Sequence, residues 1–167
     1  MAQMKFAEQI IQRSGLTDDK HVDTPEALGM KLRLKDGEPL TDPTPYRQLV
    51  GALSYLTITR PDISHAVHMV SQFQHAPTTV HMGAAMRIVR YLRHTINKGV
   101  FLSASSSLEL IAYTDVDWGG DPDERRSVLG YCVYIGHNVV TWSSKKQKAI
   151  AKSSTEAEYR AMAAGTA

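Results

Sequence analysis

The chain has 167 residues, of which 43% are hydrophobic and 22% are charged, and its formal net charge is +2. This length suits one domain or two small ones, and so small a net charge does not by itself indicate nucleic-acid binding, so any basic surface must be local. Cys132 is the single cysteine, which excludes an intramolecular disulfide and a cysteine-based zinc site. We find no apolar run long enough to span a membrane and no signal-peptide core, so we expect an intracellular protein of the cytoplasm or nucleus.

The N-terminal stretch predicts one helix followed by a long connector. Apolar residues fall on one helical face over residues 3–14, and Gly15 is expected to cap the end of that helix. Residues 16–45 are polar and are interrupted repeatedly by proline and glycine. This composition predicts an extended connector that contributes nothing to a hydrophobic core.

Three further helices are predicted before Gly99. The first covers about residues 46–57, where apolar residues recur at helical spacing, and Pro61 is expected to stop it. Asp62 or Ser64 is expected to cap the second helix, and the third begins near residues 77–78. The loops between these helices are short, which predicts that the helices pack as antiparallel neighbours.

A row of basic residues lies along the third of these helices. Arg87, Arg90 and Arg93 recur at helical spacing, with His94 and Lys98 beyond them. Such a row could contact the phosphates of a nucleic-acid backbone, or it could be a solvated helix face. The histidines are given no metal role, because no Glu completes an H-E-x-x-H pattern.

The apolar period changes near Phe101 from helical to alternating. Strands are predicted over about 108–114, 128–135 and 139–143, with a tight turn between the last two. Three lysines are expected to crowd the loop after the third strand, and a final helix begins near Ser154. The predicted fold class is therefore α+β.

Several motifs, in the same order, resemble the Pol polyproteins of copia-type LTR retrotransposons. They are YRQLVG at 46–51, TRPDI at 59–63, AYTDVDW at 112–118, RRS at 125–127, TWSSKKQ at 141–147 and SSTEAEY at 153–159. The resemblance runs from about Phe6 to the last residue. It implies a helical thumb and connection segment of reverse transcriptase over residues 1–100. It also implies an incomplete ribonuclease H domain over residues 101–167, with three antiparallel strands and then a helix.

The resemblance also implies a site and its partners. Ribonuclease H enzymes cleave the RNA strand of RNA–DNA hybrids with Mg²⁺, and the family pattern makes Asp115 and Glu158 the catalytic and metal-binding carboxylates. The plainer readings are that Asp115 ends a strand and that Glu158 closes a capping box with Thr155, as Glu156 could with Ser153. The residues expected to contact nucleic acid are Arg87, Arg90, Arg93, Arg125, Arg126, Lys145, Lys146 and Lys148.

Two parts of the family's machinery do not occur in this sequence. The next catalytic Asp of the family lies on a fourth strand, and the polymerase signature Tyr-x-Asp-Asp lies upstream. We therefore expect a polyprotein fragment that is catalytically incomplete by itself, binds Mg²⁺ weakly and contacts nucleic acid or the rest of the polyprotein. One alternative is an active hybrid ribonuclease completed by Asp117, Asp121, Asp123 or another chain. A second alternative is a non-catalytic nucleic-acid-binding fragment.

Overall fold

The computed structural model describes residues 1–166 and divides the chain into two compact units, Met1–Gly99 and Val100–Ala167. The described residues form an α+β protein with five α-helices and a three-stranded antiparallel sheet. The elements are α1 (Met4–Arg13), α2 (Thr44–Leu56), a 3-10 turn (Pro61–Ile63), α3 (Ser64–Ser71), α4 (Thr79–His94), β1 (Leu110–Asp117), β2 (Val128–Ile135), β3 (Asn138–Lys146) and α5 (Ser154–Thr166). No helix among them is long and apolar enough to cross a membrane.

The first unit packs α1 to α4 around one hydrophobic core. The apolar stripe of α2 points inward, and Val50 and Leu53 are fully buried there. Ile88 and Leu92 of α4 are fully buried in the same core. The helix predicted over residues 3–14 is present as α1, and Gly15 follows it with a φ of +67°, the left-handed conformation that glycine tolerates best.

The predicted end of α2 near residue 57 is confirmed to within one residue, but the roles expected of Pro61, Asp62 and Ser64 are wrong. Helix α2 ends at Leu56, well before Pro61, and Pro61 instead opens the 3-10 turn. Helix α3 has no side-chain cap, so neither Asp62 nor Ser64 caps it. The carboxylate of Asp62 is held instead by the guanidinium of Arg60, which donates to it at 2.9 and 2.7 Å.

The connector contains no helix or extended strand before α2 begins at Thr44, but it does contribute to the core. Val22 is 7% exposed and Leu32 is 3% exposed, both within the main core of this unit. The expectation that the connector lacks core residues is therefore wrong. Its two buried apolar residues are too far apart in sequence to produce a period, so composition alone did not reveal them.

A buried histidine holds the start of α4. Thr78 caps the helix, and the backbone N–H of Thr78 donates to Nδ1 of His81 at 3.1 Å in a capping box. Nε2 of His81 therefore carries the proton and donates to the carbonyl of Arg33 at 3.0 Å. The imidazole also stacks on Phe73 with ring centroids 3.9 Å apart. These contacts give His81 a structural role in joining the connector to α4.

The second unit is a β1-β2-β3 sheet with α5 packed against it. Strands β2 and β3 are joined by a tight turn in which Gly136 has a φ of +58°. Strand β3 runs further than predicted and includes Lys145 and Lys146. Those two lysines therefore lie on a strand rather than in the loop where they were expected, while Lys148 follows the strand.

Candidate functional site

Helix α5 identifies which face of the sheet is covered. A Cβ added at Gly165 would lie 2.6 Å from Cγ2 of Thr114 and 3.7 Å from Cβ of Tyr131. Thr114 and Tyr131 are register partners on β1 and β2, so both side chains belong to one face. Ala157 and Ala161 are fully buried on the inner side of the helix. Helix α5 therefore covers the Thr114 face of the sheet.

Asp115 is the next residue of β1 after Thr114. Successive side chains of a strand point to opposite faces, so alternation assigns Asp115 to the face that α5 does not cover. The side chain is exposed, and no hydrogen bond or ion pair engages its carboxylate within residues 1–166. Asp117, two residues on, belongs to the same face as Asp115. Asp115 is thus an available, solvated carboxylate at the motif position.

Glu158 is exposed on α5, and the start of that helix is capped by other residues. The backbone N–H of Glu156 donates to Oγ of Ser153 at 3.1 Å, and the carboxylate of Glu156 accepts from the backbone N–H of Lys152 at 2.8 Å. Glu156 also pairs with Arg160 at 2.7 Å. The alternative box between Thr155 and Glu158 is not formed. Within residues 1–166 no hydrogen bond or ion pair engages the Glu158 carboxylate.

A pair of magnesium ions requires several oxygen ligands that lie close together. The carboxylate oxygens of Asp115 and Glu158 are the right chemistry for a hard cation. However, the described residues contain no group of three or more His, Cys, Asp or Glu side chains that could hold a metal ion. Alternation also turns Asp115 away from the face that α5 covers. The described residues therefore do not fit a two-cation site, and a cation shared by Asp115 and Glu158 stays a prediction.

Asp121, one candidate for a third metal ligand, uses its carboxylate to stabilise the loop before β2. It is buried and accepts hydrogen bonds from the backbone N–H groups of Asp123 at 2.9 Å and Glu124 at 2.7 Å. Nζ of Lys146 pairs with its second carboxylate oxygen. Burial raises the pKa of Asp121, but the hydrogen bonds from Glu124 and Lys146 outweigh it and hold that pKa below its usual range. Asp121 is a structural anion of this loop.

The basic residues of the second unit fall into two groups. Lys146 and Arg126 pair with Glu124, at 3.2 and 3.4 Å. Lys145 and Lys148 are exposed and make no ion pair within the described part of the chain. Because paired cations already have a counter-ion, Lys145 and Lys148 are better candidates than Lys146 and Arg126 for contacts with an external phosphate.

The arginines of α4 all contact the connector. Arg90 donates to both carboxylate oxygens of Asp18, at 3.0 and 2.7 Å, and its hydrogen bond lowers the pKa of Asp18 to about 2. Arg93 donates to the carbonyl oxygens of Asp18 and Lys20, and Arg87 donates to Oγ1 of Thr24 at 2.9 Å. Arg90 and Asp18 are 72 residues apart in the sequence, so their contact leaves no local sequence signal. The sequence therefore could not show that these arginines have partners within the chain.

Comparisons with known proteins place the chain among retrotransposon proteins. It is 50% identical over 163 residues to the retrovirus-related Pol polyprotein from transposon RE1 of Arabidopsis thaliana, covering 98% of this chain and 11% of the polyprotein. It is 38% identical over 166 residues to the corresponding polyprotein from transposon TNT 1-94 of Nicotiana tabacum, covering 95% of this chain and 12% of the polyprotein.

In a third, shorter relative, the region that matches this chain makes up most of the protein. An uncharacterized mitochondrial protein of Arabidopsis thaliana is 42% identical over 163 residues, which are 98% of this chain and 68% of that protein. No family model and no solved structure matches the chain. The chain spans about a tenth of the length of the two polyproteins.

Proposed function

This chain belongs to the copia-type LTR retrotransposon Pol polyproteins, and from that premise we propose that it is the segment in which reverse transcriptase joins ribonuclease H. In this proposal the first unit derives from the thumb and connection of the polymerase, and the second from the start of a ribonuclease H-type domain. The segment binds an RNA–DNA hybrid but does not cleave it alone.

One observation carries the proposal. The second unit is three consecutive antiparallel strands followed by a helix that packs on β1 and β2, the element order expected of the first part of a ribonuclease H-type domain. Asp115 on β1 and Glu158 on α5 occupy the expected motif positions as exposed, unpaired carboxylates. Carboxylates kept out of internal ion pairs remain available to a ligand from outside the chain.

The absence of autonomous cleavage follows from the arrangement of the acids. Two-cation phosphodiester cleavage requires carboxylates that fix two ions roughly 3.5–4 Å apart. The described residues offer no cluster of three ligands, and Asp121 is engaged by Lys146. We therefore assign hybrid contact, rather than hydrolysis, to this chain in isolation.

Hybrid binding is tested by neutralising Lys145 and Lys148, two exposed lysines of the second unit that make no ion pair within the described residues. We expect Lys145→Gln combined with Lys148→Gln to weaken binding of a fluorescent RNA–DNA hybrid, measured by anisotropy over a range of salt concentrations. Each lost phosphate contact reduces the magnitude of the slope of log affinity against log salt by about 1. The slope of the double variant should therefore be smaller in magnitude by up to about 2.

Two other measurements control this experiment. Lys31→Gln combined with Lys35→Gln removes the same two charges from exposed positions of the first unit, and it should leave the slope unchanged. A DNA duplex should bind more weakly than the hybrid if the A-form geometry of the hybrid is recognised. Equal binding by the double variant and the wild-type chain would contradict the proposed contact surface.

A further inference from the structure

We propose that residues 18–24, named the strap, cover a phosphate-binding face formed by Arg87, Arg90 and Arg93 on α4, and that the phosphate backbone of a nucleic-acid duplex displaces the strap. The face and the strap lie in the same unit of the chain. The inference rests on the proposed function, because the hybrid is the duplex that this chain is proposed to bind.

The strap offers the arginines the kind of oxygen atoms that a phosphate would offer. Arg90 makes a forked contact with both carboxylate oxygens of Asp18, the geometry that guanidinium groups also use for phosphate. Arg93 donates to two carbonyl oxygens of the strap, and Arg87 donates to a hydroxyl oxygen. The strap therefore supplies an oxygen acceptor to each of the three arginines. Of the acceptors in direct contact, the one charged group is the carboxylate that Arg90 contacts.

The charge of the face is only partly neutralised by the strap. Asp19, the second acid near Arg93, lies 3.9 Å away and is fully exposed. Arg87 contacts no carboxylate, and its Nε is buried with no hydrogen-bond acceptor within the described residues. A buried guanidinium donor without an acceptor is unfavourable. A phosphate oxygen would supply both the missing acceptor and the missing charge.

The strap is weakly attached to the rest of the unit. Val22 is its single buried residue, and the other six positions are exposed. Exposed ion pairs such as Arg90 with Asp18 contribute little to stability, because water screens them. Segments with few buried apolar contacts open at low free-energy cost. A polyanion that replaces several weak contacts at once can therefore displace the strap.

The test compares two variants within the strap that change charge equally. Asp18→Asn removes the carboxylate that contacts Arg90, whereas Asp23→Asn removes one that contacts His21 at 2.8 Å. Anisotropy with a labelled RNA–DNA hybrid should show that Asp18→Asn binds about two- to fivefold more tightly than Asp23→Asn. This fold-change corresponds to the contribution of one exposed ion pair. Adding Arg90→Gln to Asp18→Asn should abolish that gain.

Hydrogen exchange supplies the second readout. Saturating hybrid should speed amide exchange in residues 18–24 of the wild-type chain, since displacement exposes their backbone. Equal affinity of the Asp18 and Asp23 variants would overturn the proposal, as would unchanged exchange in the strap with bound hybrid, or failure of every variant to bind. If a DNA duplex and heparin displace the strap as well as the hybrid does, the proposal that polyanions displace the strap is supported, and the proposed preference for the hybrid is contradicted.

Discussion

At the scale of single residues, one buried cation organises the segment around Pro61. Arg60 is 2% exposed, and its guanidinium donates to Asp62 and to both the carbonyl and the hydroxyl of Thr95. Tyr91 donates its hydroxyl to the same Asp62 carboxylate at 2.9 Å. A buried guanidinium requires a counter-ion, so Asp62 serves as that counter-ion instead of the helix cap expected from its position.

Asp62→Asn should therefore destabilise the first unit. Removing one partner of a buried pair leaves the other charge uncompensated, and since a third of the Asp62 side chain is exposed we expect a loss of about 1–3 kcal/mol in the free energy of unfolding. Chemical denaturation followed by circular dichroism measures it. Asp19→Asn, at a fully exposed carboxylate, is the matched control and should change stability little.

The same pair predicts a dependence on pH. Burial raises the pKa of Asp62, but the hydrogen bond and charge of Arg60, with the hydroxyl of Tyr91, outweigh it and lower that pKa below 3.8. A carboxyl whose pKa is lowered by folding stabilises the fold above its unfolded pKa and loses this effect as pH falls through the folded pKa. The stability difference between wild type and Asp62→Asn should thus shrink below about pH 4, and a constant difference would contradict it.

At the scale of elements, α5 docks on the sheet through small residues. Ala157 and Ala161 are fully buried, and the backbone at Gly165 passes close to Thr114. Small side chains allow a helix to approach a sheet closely, so the position of α5, and with it the position of Glu158, depends on these residues. Gln147 adds a hydrogen bond at 3.0 Å to the carbonyl of Ala157.

Ala161→Leu should disrupt that docking. Extra carbon atoms in a packed interface force side chains and backbone to shift, and we expect a loss of about 1–3 kcal/mol in stability of the second unit. The matched variant is Ala163→Leu, at an exposed position of the same helix, which should cost little. Hydrogen exchange of the β1 and β2 amides measures the effect, and equal exchange in both variants would show that α5 is not closely packed there.

Periodicity predicted the regular elements well, because it depends only on near neighbours in sequence. The change of apolar period near Phe101 predicted the strands, and Gly15 predicted the end of α1. The contacts that sequence could not predict join distant residues. Asp18 meets Arg90 across 72 positions, and Lys146 at the end of β3 meets Asp121 in the loop before β2. Such contacts depend on how elements pack, so the basic surfaces are where the structure differs most from the sequence-based prediction.

At the scale of the whole molecule, the chain is a segment of a copia-type Pol polyprotein that forms two compact units. Each unit has its own packed interior, with helices α1 to α4 in the first and α5 against the sheet in the second. The chain spans about a tenth of its Pol relatives.

The most direct test of this account is a cleavage assay on an RNA–DNA hybrid. The purified 167-residue chain is incubated in magnesium with a hybrid labelled on its RNA strand, beside Asp115→Asn and Glu158→Gln, and the products are resolved on a gel. We predict that the wild-type chain cleaves no faster than either variant, because its described acids do not form a three-ligand site. Magnesium-dependent cleavage by the wild-type chain that disappears in both variants would contradict the account.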